Sequence, residues 1–361
     1  MILLTPGPAN TTQTVKDALV VDDICHREKA FADVLAQLRS SLLQLADVED
    51  SHDVVFFTGS GSCAVDAAMA SAVPPTGKLL LVVNGSYGVR MRQMAVIYGI
   101  DHDVVEWPWH EPVRADAIAK RLEGGFTHLA VVHHETSTGV LNPLGEIAAL
   151  CAQRNVKFIV DAISSFAGIP VDVASIDFMM ASSNKCLQGM PGLGMVFVRR
   201  DQFDTITHFP PRSFYTGLAA EWRAAKKNGQ MRFTPAVQVI YALLQAVKET
   251  FEETLDGRFE RYRSNWKAMR AGMIAQGFTP LLENEAHESG LLSSYHKPKS
   301  AKYDFDKHHD LLFDAGFTIY PAMAGYEHTF RLGNIGEIRV PEIEAFLQAN
   351  AEVMQQMGVT A

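Results

Sequence analysis

The amino-acid sequence predicts an α/β fold, in which helices cover both faces of a mainly parallel sheet and a smaller α+β domain follows. Two observations carry this prediction. Six short apolar runs alternate with helix-length stretches between residues 54 and 198, a pattern typical of a parallel sheet that is buried on both faces. After Gly277 the pattern changes to shorter alternations and a final helix, which indicates a second domain.

The chain begins with a segment that cannot be helical. Pro6 and Pro8 flank Gly7, and proline lacks an amide hydrogen and has a fixed backbone angle. We therefore predict that residues 1–15 form an extended arm, which packs on the smaller domain or on a partner subunit. Helical spacing from Asp33 to Ala46 opens a large domain, which we place at residues 16–255.

The apolar runs give the strands of the large domain. They predict strands at residues 54–57, 79–83, 129–133, 158–161, 178–180 and 195–198, and a small-residue helix from Ala64 to Ala72. A long helical region follows Val237. The smaller domain, residues 256–361, is expected to contain strands near residues 290–295, 317–320 and 329–332, and a helix from Pro341 to Met357. Ligands of such sheets bind at the carboxyl ends of the strands.

Composition excludes several classes of protein. The 361 residues are 47% hydrophobic and 20% charged, with a formal net charge of −9, so a soluble globular protein is expected and neither nucleic acid nor a membrane is an expected partner. The N-terminus lacks the apolar core of a signal peptide. The four cysteines show no paired spacing, which favours reduced thiols and a cytoplasmic location and gives no metal site.

Lys185 is the first candidate catalytic residue. It follows the apolar run 178–181 and precedes a glycine-rich turn, Gly189 to Gly194. A lysine at a strand end can be partly desolvated, which lowers its pKa and makes its amine a nucleophile. Lys185 is thus a candidate for a Schiff base with pyridoxal 5′-phosphate (PLP). The alternative is a solvated lysine in a turn.

A glycine-rich segment predicts an anion site. Ser60, Gly61 and Ser62 lie between the first strand and its helix, where free amides at a helix N-terminus bind phosphate. An ordinary turn with a serine cap is the alternative. The spacing also matches the dinucleotide fingerprint weakly, but the next strand ends in Asn84 rather than in an acidic residue.

Asp161 ends the strand 158–161, where a carboxylate is costly unless it is paired. Next to PLP it would keep the pyridine nitrogen protonated. The alternative role is a cap for the residues that follow. Lys185 lies 24 residues further along the chain (185 − 161), a separation that allows one crossover between neighbouring strands.

Three further groups are candidates. Polar residues 133–139 could contact the cofactor or substrate, whereas the adjacent pair His133 and His134 does not suit a metal because neighbouring strand residues point in opposite directions. Tyr87 could stack on an aromatic cofactor or belong to the core. Arg331, and more weakly Arg232, could bind a carboxylate or phosphonate, or form a structural ion pair.

Nine motifs in order give the chain a family resemblance. They are residues 4–8 (LTPGP), 23–29 (DICHREK), 58–62 (TGSGS), 84–88 (NGSYG), 134–139 (HETSTG), 160–165 (VDAISS), 183–189 (SNKCLQG), 232–235 (RFTP) and 330–336 (FRLGNIG). Over essentially its full length the sequence resembles the class V, fold-type I PLP-dependent aminotransferases. This resemblance implies a mainly parallel sheet of the seven-stranded type. Within the class, it is most similar to members that use 2-aminoethylphosphonate and pyruvate.

The resemblance also implies residue roles. Lys185 would bind PLP and carry the proton, Asp161 would pair with the pyridine nitrogen, and Tyr87 would stack on the ring. Ser60, Gly61 and Ser62 would hold the phosphate, Thr136 would approach the ring hydroxyl, and Arg331 would bind the acidic group of either substrate. Thr234 would reach the phosphate in the neighbouring subunit, which implies a homodimer with shared active sites.

The reaction implied is transfer of the amino group of 2-aminoethylphosphonate to pyruvate. One departure bears on the donor: relatives commonly have Gly-Lys after Tyr-Pro, whereas this chain has Ala322-Met323-Ala324. Alanine–glyoxylate or serine–pyruvate aminotransferases are the nearest alternatives. A cysteine desulfurase needs a late cysteine, and none follows Cys186. A PLP lyase, an NAD-dependent oxidoreductase and a regulatory protein on the same fold are the remaining alternatives.

Overall fold

The structure, a computed structural model that describes residues 1–359, contains fourteen strands and twelve α-helices within that range. The strands are β1 (Ile2–Leu3), β2 (His52–Thr58), β3 (Leu79–Val83), β4 (His102–Glu106), β5 (His128–Val132), β6 (His134–Glu135), β7 (Val140–Leu141), β8 (Lys157–Asp161), β9 (Phe178–Ser182), β10 (Leu193–Arg199), β11 (Leu292–His296), β12 (Phe317–Thr318), β13 (Tyr320–Pro321) and β14 (Thr329–Gly333). The helices are α1 (Gln13–Asp17), α2 (Lys29–Leu45), α3 (Gly61–Ser71), α4 (Ser86–Ile97), α5 (Ala115–Leu122), α6 (Leu144–Arg154), α7 (Arg200–Ile206), α8 (Leu218–Asn228), α9 (Val237–Glu253), α10 (Leu255–Ala275), α11 (Phe305–Asp314) and α12 (Val340–Met357).

A seven-stranded sheet forms the centre of the fold. Its strand order is β2-β10-β9-β8-β5-β3-β4. Strand β10 is antiparallel to both of its neighbours, and the pairs among β9, β8, β5, β3 and β4 are parallel. The predicted α/β class with a mainly parallel sheet is therefore confirmed. The carboxyl ends of β2, β3, β5, β8 and β9 meet at one edge, as the prediction for the site requires.

All six strands predicted for this sheet are present, but the sequence missed the seventh. Strand β4 lies at the edge of the sheet, and its apolar signal is limited to Val104 and Val105 between charged residues. Only Val105 of this strand is buried, so its sequence contains no continuous apolar run, whereas β2 at the opposite edge is buried along most of its length. The antiparallel direction of β10 was also not predicted.

Helices pack on both faces of the sheet because alternate strand residues point to opposite sides. In β2, Val54 and Phe56 join an apolar cluster with helices α2, α5, α6 and α9. Val55 and Phe57 join the opposite cluster with α3, α4, α7 and α8. An apolar cluster on each face of the sheet therefore holds in place the edge at which the parallel strands end.

The C-terminal part has its own sheet and core. Strands β11, β14 and β13 form an antiparallel three-stranded sheet in that order. It packs with α10, α11 and α12 around an apolar cluster that includes Phe330 and Phe346. The predicted strand 317–320 is two short strands, because β12 pairs with β1 while β13 pairs with β14. Residues 360 and 361 of the predicted 256–361 domain lie outside the described residues.

The N-terminal arm joins the two sheets. Strand β1 pairs in parallel with β12, and Leu4 is fully buried in the C-terminal core. The amide of Gly333 donates to the carbonyl of Leu4 at 3.0 Å, and the amide of Ala9 donates to the carbonyl of Asn184 at 3.1 Å. The arm therefore runs from the C-terminal sheet to the segment that contains Lys185.

Residues 1–359 contain no helix that combines the length and the apolar character needed to cross a bilayer. Across the same residues, no group of histidine, cysteine and acidic side chains is arranged to hold a metal ion.

Candidate active site

A cavity lies at the edge where the parallel strands end, and seven of the nine predicted site residues line it. These are Ser60, Gly61, Ser62, Tyr87, Thr136, Asp161 and Lys185. The other lining residues are Arg90, Val132, His134, Ile163, Ser164, Ser182 and Asn184. Arg331 and Thr234 are the two predicted residues that do not line it. Residues that are far apart in the sequence are thus brought together around Lys185.

Lys185 presents its amine to this cavity. The residue as a whole stays partly accessible, but its ammonium group is surrounded by protein, and this burial lowers the pKa of Lys185 to about 8. The Asp161 carboxylate opposes the shift, while Arg331 and Arg90 add to it. A solvated turn lysine would keep its usual pKa, so this environment favours a nucleophilic amine.

The N-terminal arm forms one wall beside Lys185. The Lys185 Nζ donates a hydrogen bond of 2.6 Å to the carbonyl of Pro6. Gly7 has a φ of +123°, and a Cβ atom there would lie 2.5 Å from both Cδ and Nζ of Lys185. Only glycine fits this position, because it tolerates the positive φ and leaves room for the lysine. Neither Pro6 nor Gly7 was among the site residues predicted from the sequence.

Asp161 lies deep in the cavity and is 5% exposed. Burial raises its pKa to about 6, although the Ile163 amide and the positive charges of Arg90 and Lys185 oppose the rise. Its Oδ1 accepts from the Ile163 amide at 3.0 Å, whereas its second oxygen has no hydrogen-bond partner among residues 1–359. Asp161 thus caps a turn, as its alternative role expected, and also offers one carboxylate oxygen to a cationic group.

The glycine-rich segment forms the start of α3. Ser60 is the N-cap residue, but its side chain makes no capping hydrogen bond. The first amides of a helix have no intrahelical acceptor and carry a partial positive charge. A Cβ on Gly61 would lie 2.9 Å from the Ile163 side chain, so glycine permits a close approach. The unpaired amides at the start of α3 and the absence of a capping hydrogen bond from Ser60 therefore favour a bound anion over an ordinary serine-capped turn.

Arg90 adds a positive charge to the cavity and was not among the site residues predicted from the sequence. Its Nη1 donates to Ser62 Oγ at 2.7 Å, and its Cζ lies 4.7 Å from the centre of the Tyr87 ring. Tyr87 and Arg90 are three residues apart on α4, which places them on one side of the helix. That spacing was the signal available in the sequence. Arg90 therefore supports both the Tyr87 ring and the anion side of the cavity.

Glu135 fixes the start of α4 from a neighbouring strand. Its carboxylate accepts from the amides of Tyr87 at 3.3 Å and Gly88 at 2.8 Å. Burial raises the pKa of Glu135 to about 7, and these amides and the Ser137 hydroxyl partly offset the rise. A side chain on Gly85 would overlap this carboxylate. Glu135 therefore sets where the Tyr87 ring lies.

The adjacent histidines pair with serines. His133 Nδ1 lies 2.9 Å from Ser165 Oγ, and His134 lies 3.1 Å from Ser164 Oγ and 2.9 Å from Ser289 Oγ. Burial lowers the pKa of both histidines to about 3, so they are neutral at pH 7. Only His134 lines the cavity.

Arg331 reaches the cavity edge from strand β14 of the C-terminal sheet. It is 1% exposed, its Nε donates to the Pro321 carbonyl and its Nη1 to the Thr136 carbonyl, both at 2.9 Å. No carboxylate among residues 1–359 pairs with it, so the structural ion pair that was its alternative role is not found. Burial lowers the pKa of Arg331. A buried guanidinium without an acidic partner suits an acidic ligand.

Thr234 lies away from this cavity. It is exposed and precedes α9, where the Ala236 amide donates to Thr58 Oγ1 at 3.2 Å. Arg232 donates to the Phe214 carbonyl at 2.7 Å and packs against Phe214 and Phe233. Neither residue contributes to the cavity within a single chain.

The donors of the cavity fit the PLP that the sequence resemblance implies. Lys185 supplies an amine, Asp161 supplies a carboxylate oxygen for a pyridinium nitrogen, and the start of α3 supplies amides for a phosphate. Ser182 Oγ is buried without a hydrogen-bond partner among residues 1–359 and belongs to a residue that lines the cavity. A buried hydroxyl of this kind costs free energy until a ligand completes its hydrogen bonding.

Comparison with known proteins gives consistent results. The family model described as Aminotransferase class-V matches residues 10–269. The 2-aminoethylphosphonate–pyruvate transaminase of Klebsiella pneumoniae is 39% identical over 354 residues, covering 96% of each chain. That of Salmonella heidelberg is 39% identical over 363 residues, covering 99% of this chain and 98% of its own. The solved pyridoxamine-pyruvate aminotransferase of Mesorhizobium loti superposes with a TM-score of 0.92 at 24% identity, covering 99% of this chain and 93% of its own.

Proposed function

Because the chain belongs to the class V aminotransferase family, we propose that it transfers the amino group of 2-aminoethylphosphonate to pyruvate. The products are phosphonoacetaldehyde and alanine, and the cofactor is PLP. The observation that carries the proposal is 39% identity across nearly the whole length of transaminases with this specificity. The cavity around Lys185 and the unpaired Arg331 support it.

PLP, when bound, supplies an aromatic system that delocalises the negative charge left when the substrate loses a proton. Lys185 would hold it covalently, and Asp161 would face its pyridine nitrogen. The Tyr87 ring would pack on its face, and the Thr136 side chain would approach its hydroxyl. Ser60, Gly61 and Ser62 would hold its phosphate at the start of α3.

Lys185 is also the proposed proton carrier. With a pKa of about 8, an appreciable fraction of its amine is neutral near pH 7 and can accept a proton. The Pro6 carbonyl, at 2.6 Å from Nζ, orients this amine. Pro6 is buried and the Lys185 amine is largely surrounded by protein, which limits the access of water to this hydrogen bond.

Arg331 is the proposed binding group for the acidic end of both substrates. A guanidinium binds phosphonate or carboxylate oxygens through paired N–H groups. The two backbone carbonyls that it contacts fix its orientation. One arginine therefore serves both half-reactions.

The proposal includes a homodimer in the cytoplasm, in which Thr234 of one subunit reaches the phosphate site of the other. The exposed position of Thr234, outside the cavity of its own chain, supports this arrangement. We also propose the division into an arm (1–15), a large domain (16–255) and a small domain (256–361). The two separate sheets and the start of α10 at Leu255 support the boundary.

A donor panel tests the function and separates it from the alternative alanine–glyoxylate or serine–pyruvate activities. The enzyme with PLP is given pyruvate and one amine at a time, and alanine is measured. We expect 2-aminoethylphosphonate to be the fastest donor. If it is inert while serine reacts, or if alanine–glyoxylate exchange is fast, the specific assignment is wrong and the family assignment stands.

A further inference from the structure

A row of three residues crosses the three-stranded sheet through Arg331. Ser294 of β11 and Tyr320 of β13 are its direct partners in the two antiparallel pairs. Residues directly opposite each other in such a pair project from the same face of the sheet. Ser294, Arg331 and Tyr320 therefore share one face, and Arg331 extends from it to the carbonyl of Thr136.

The two neighbours of Arg331 differ in access. Ser294 is 2% exposed, and its Oγ is buried without a hydrogen-bond partner among residues 1–359. Tyr320 is 38% exposed, and its ring centre lies 4.8 Å from Arg331 Cζ. The Tyr320 hydroxyl also makes no hydrogen bond within the described residues. Tyr320 is therefore the neighbour of Arg331 that a ligand can contact, whereas the Ser294 hydroxyl is enclosed by protein.

The hydrogen-bonding capacity of Arg331 is limited. A guanidinium has five N–H groups, and two of them are used by Pro321 and Thr136, which leaves three in one plane. A carboxylate has two oxygens, which paired coplanar N–H groups satisfy. A phosphonate has three oxygens at the corners of a tetrahedron, so at least one of them lies outside the guanidinium plane. That oxygen needs a donor located beside the plane.

Tyr320 is the neighbouring residue that can supply such a donor. Its ring packs against the guanidinium, with Arg331 Cζ 4.8 Å from the ring centre, and its hydroxyl is not one of the hydrogen-bond partners of Arg331. The turn that follows, Pro321 to Gly325, contains no side chain that can donate a hydrogen bond. Tyr326 comes next, and its ring stacks on Trp109 at 5.8 Å.

We propose that Tyr320 determines specificity by donating its hydroxyl to the out-of-plane oxygen of a phosphonate bound at Arg331. The site then prefers a phosphonate over a carboxylate of equal chain length. This proposal rests on the proposed function, since it takes Arg331 as the group that binds the acidic end of the substrate. Arg331 alone binds either anion, and the Tyr320 hydroxyl distinguishes the phosphonate from the carboxylate.

The test uses the enzyme with PLP and the variant Tyr320→Phe, which keeps the ring and removes only the hydroxyl. Inhibition constants are measured for ethylphosphonate and propionate, two unreactive anions of equal chain length, together with kcat/KM for 2-aminoethylphosphonate and L-alanine. We expect Tyr320→Phe to weaken ethylphosphonate, and to lower kcat/KM for 2-aminoethylphosphonate, by about 10-fold or more, because a hydrogen bond to a charged group is lost. Propionate and L-alanine should change by less than about twofold.

Ser294→Ala is the matched control, because it removes a hydroxyl from the same row that a ligand cannot reach. It should leave the ratio of the two inhibition constants unchanged. An equal loss for both anions in Tyr320→Phe, or no loss for either, would overturn the proposal, as would failure of both anions to bind the unaltered enzyme. If 2-aminoethylphosphonate is not a donor, the proposed function fails, but the ethylphosphonate-to-propionate ratio still decides the role of Tyr320.

Discussion

The two sheets contribute to the active site in different ways. At the edge of the seven-stranded sheet, the ends of several strands place Lys185, Asp161 and the start of α3 around one cavity, with helices packed on both faces. The C-terminal sheet contributes Arg331 on a central strand and Tyr320 on a short, exposed edge strand. The groups proposed for the reaction are held by a core with helices on both faces of the sheet, whereas the groups proposed to bind the substrate, Arg331 and Tyr320, lie on one hairpin.

The residues proposed for the reaction and the residues proposed for substrate specificity therefore lie on different sheets. Under the proposed function, we expect a change in the hairpin between β13 and β14 to alter the binding of the substrate and to leave the cavity around Lys185 intact. We expect a change among the residues at the edge of the central sheet to lower the rate with every amine donor. The departure at Ala322-Met323-Ala324 lies in that hairpin, so we interpret it as affecting the choice of donor and not the use of PLP.

Lys185→Ala tests the buried side and should have the largest effect. We expect transamination to fall by at least about 1,000-fold, because both the covalent attachment and the proton carrier are lost. The rate of alanine formation and borohydride fixation of PLP, located by mass spectrometry, are the measurements. Lys29→Ala, at an exposed lysine paired with Asp33, is the control. Activity within tenfold of the unaltered enzyme would contradict the role of Lys185.

Arg331→Lys tests the recognition side and should have an intermediate effect. Lysine keeps the charge but loses the paired N–H groups, so kcat/KM should fall by about 10- to 100-fold for both 2-aminoethylphosphonate and pyruvate. Arg263→Lys, on the exposed side of α10, serves as the control. Loss of the phosphonate substrate alone would show that the two acids do not share this arginine.

The pH dependence of PLP attachment tests the burial of Lys185 and should show the smallest effect. The neutral amine is the nucleophile, and the pKa is lowered to about 8, so the rate should rise with pH and level off above 8. We expect attachment to the PLP-free protein to be about tenfold slower at pH 7 than at pH 9.5. Stopped-flow absorbance measures the rate. A rate that still rises tenfold per pH unit above pH 9 would indicate an ordinary solvated lysine.

The sequence predicted the site residues at the edge of the seven-stranded sheet better than those on the hairpin of β13 and β14. Asp161, Ser60 and Lys185 all lie within about four residues of the end of an apolar run, so local sequence was enough to place them near strand ends. Arg90 was missed because it lies within a helix. Its contacts with Ser62 and Tyr87 become visible only when two helix starts converge on the cavity.

The row of Ser294, Arg331 and Tyr320 could not be predicted from local sequence. Ser294 and Tyr320 are 37 and 11 residues from Arg331 in the sequence (331 − 294 and 331 − 320) and become its neighbours through strand pairing. The order β11-β14-β13 and its register decide which side chains share a face, and neither can be derived from an apolar pattern alone. Pro6 and Gly7 were missed for a related reason, since the arm reaches Lys185 only after pairing with β12.

The position of that arm has a practical consequence for the preparation of recombinant protein. Removing the first eight residues would delete the carbonyl that lies 2.6 Å from Lys185 Nζ, and would also remove Leu4 from the C-terminal core. A shortened open reading frame could therefore yield a protein with an intact central sheet and a defective active site. An affinity tag joined at Met1, a residue that is 60% exposed, extends from a solvent-facing position, whereas trimming the chain beyond it removes contacts of the arm with the C-terminal core and with Lys185.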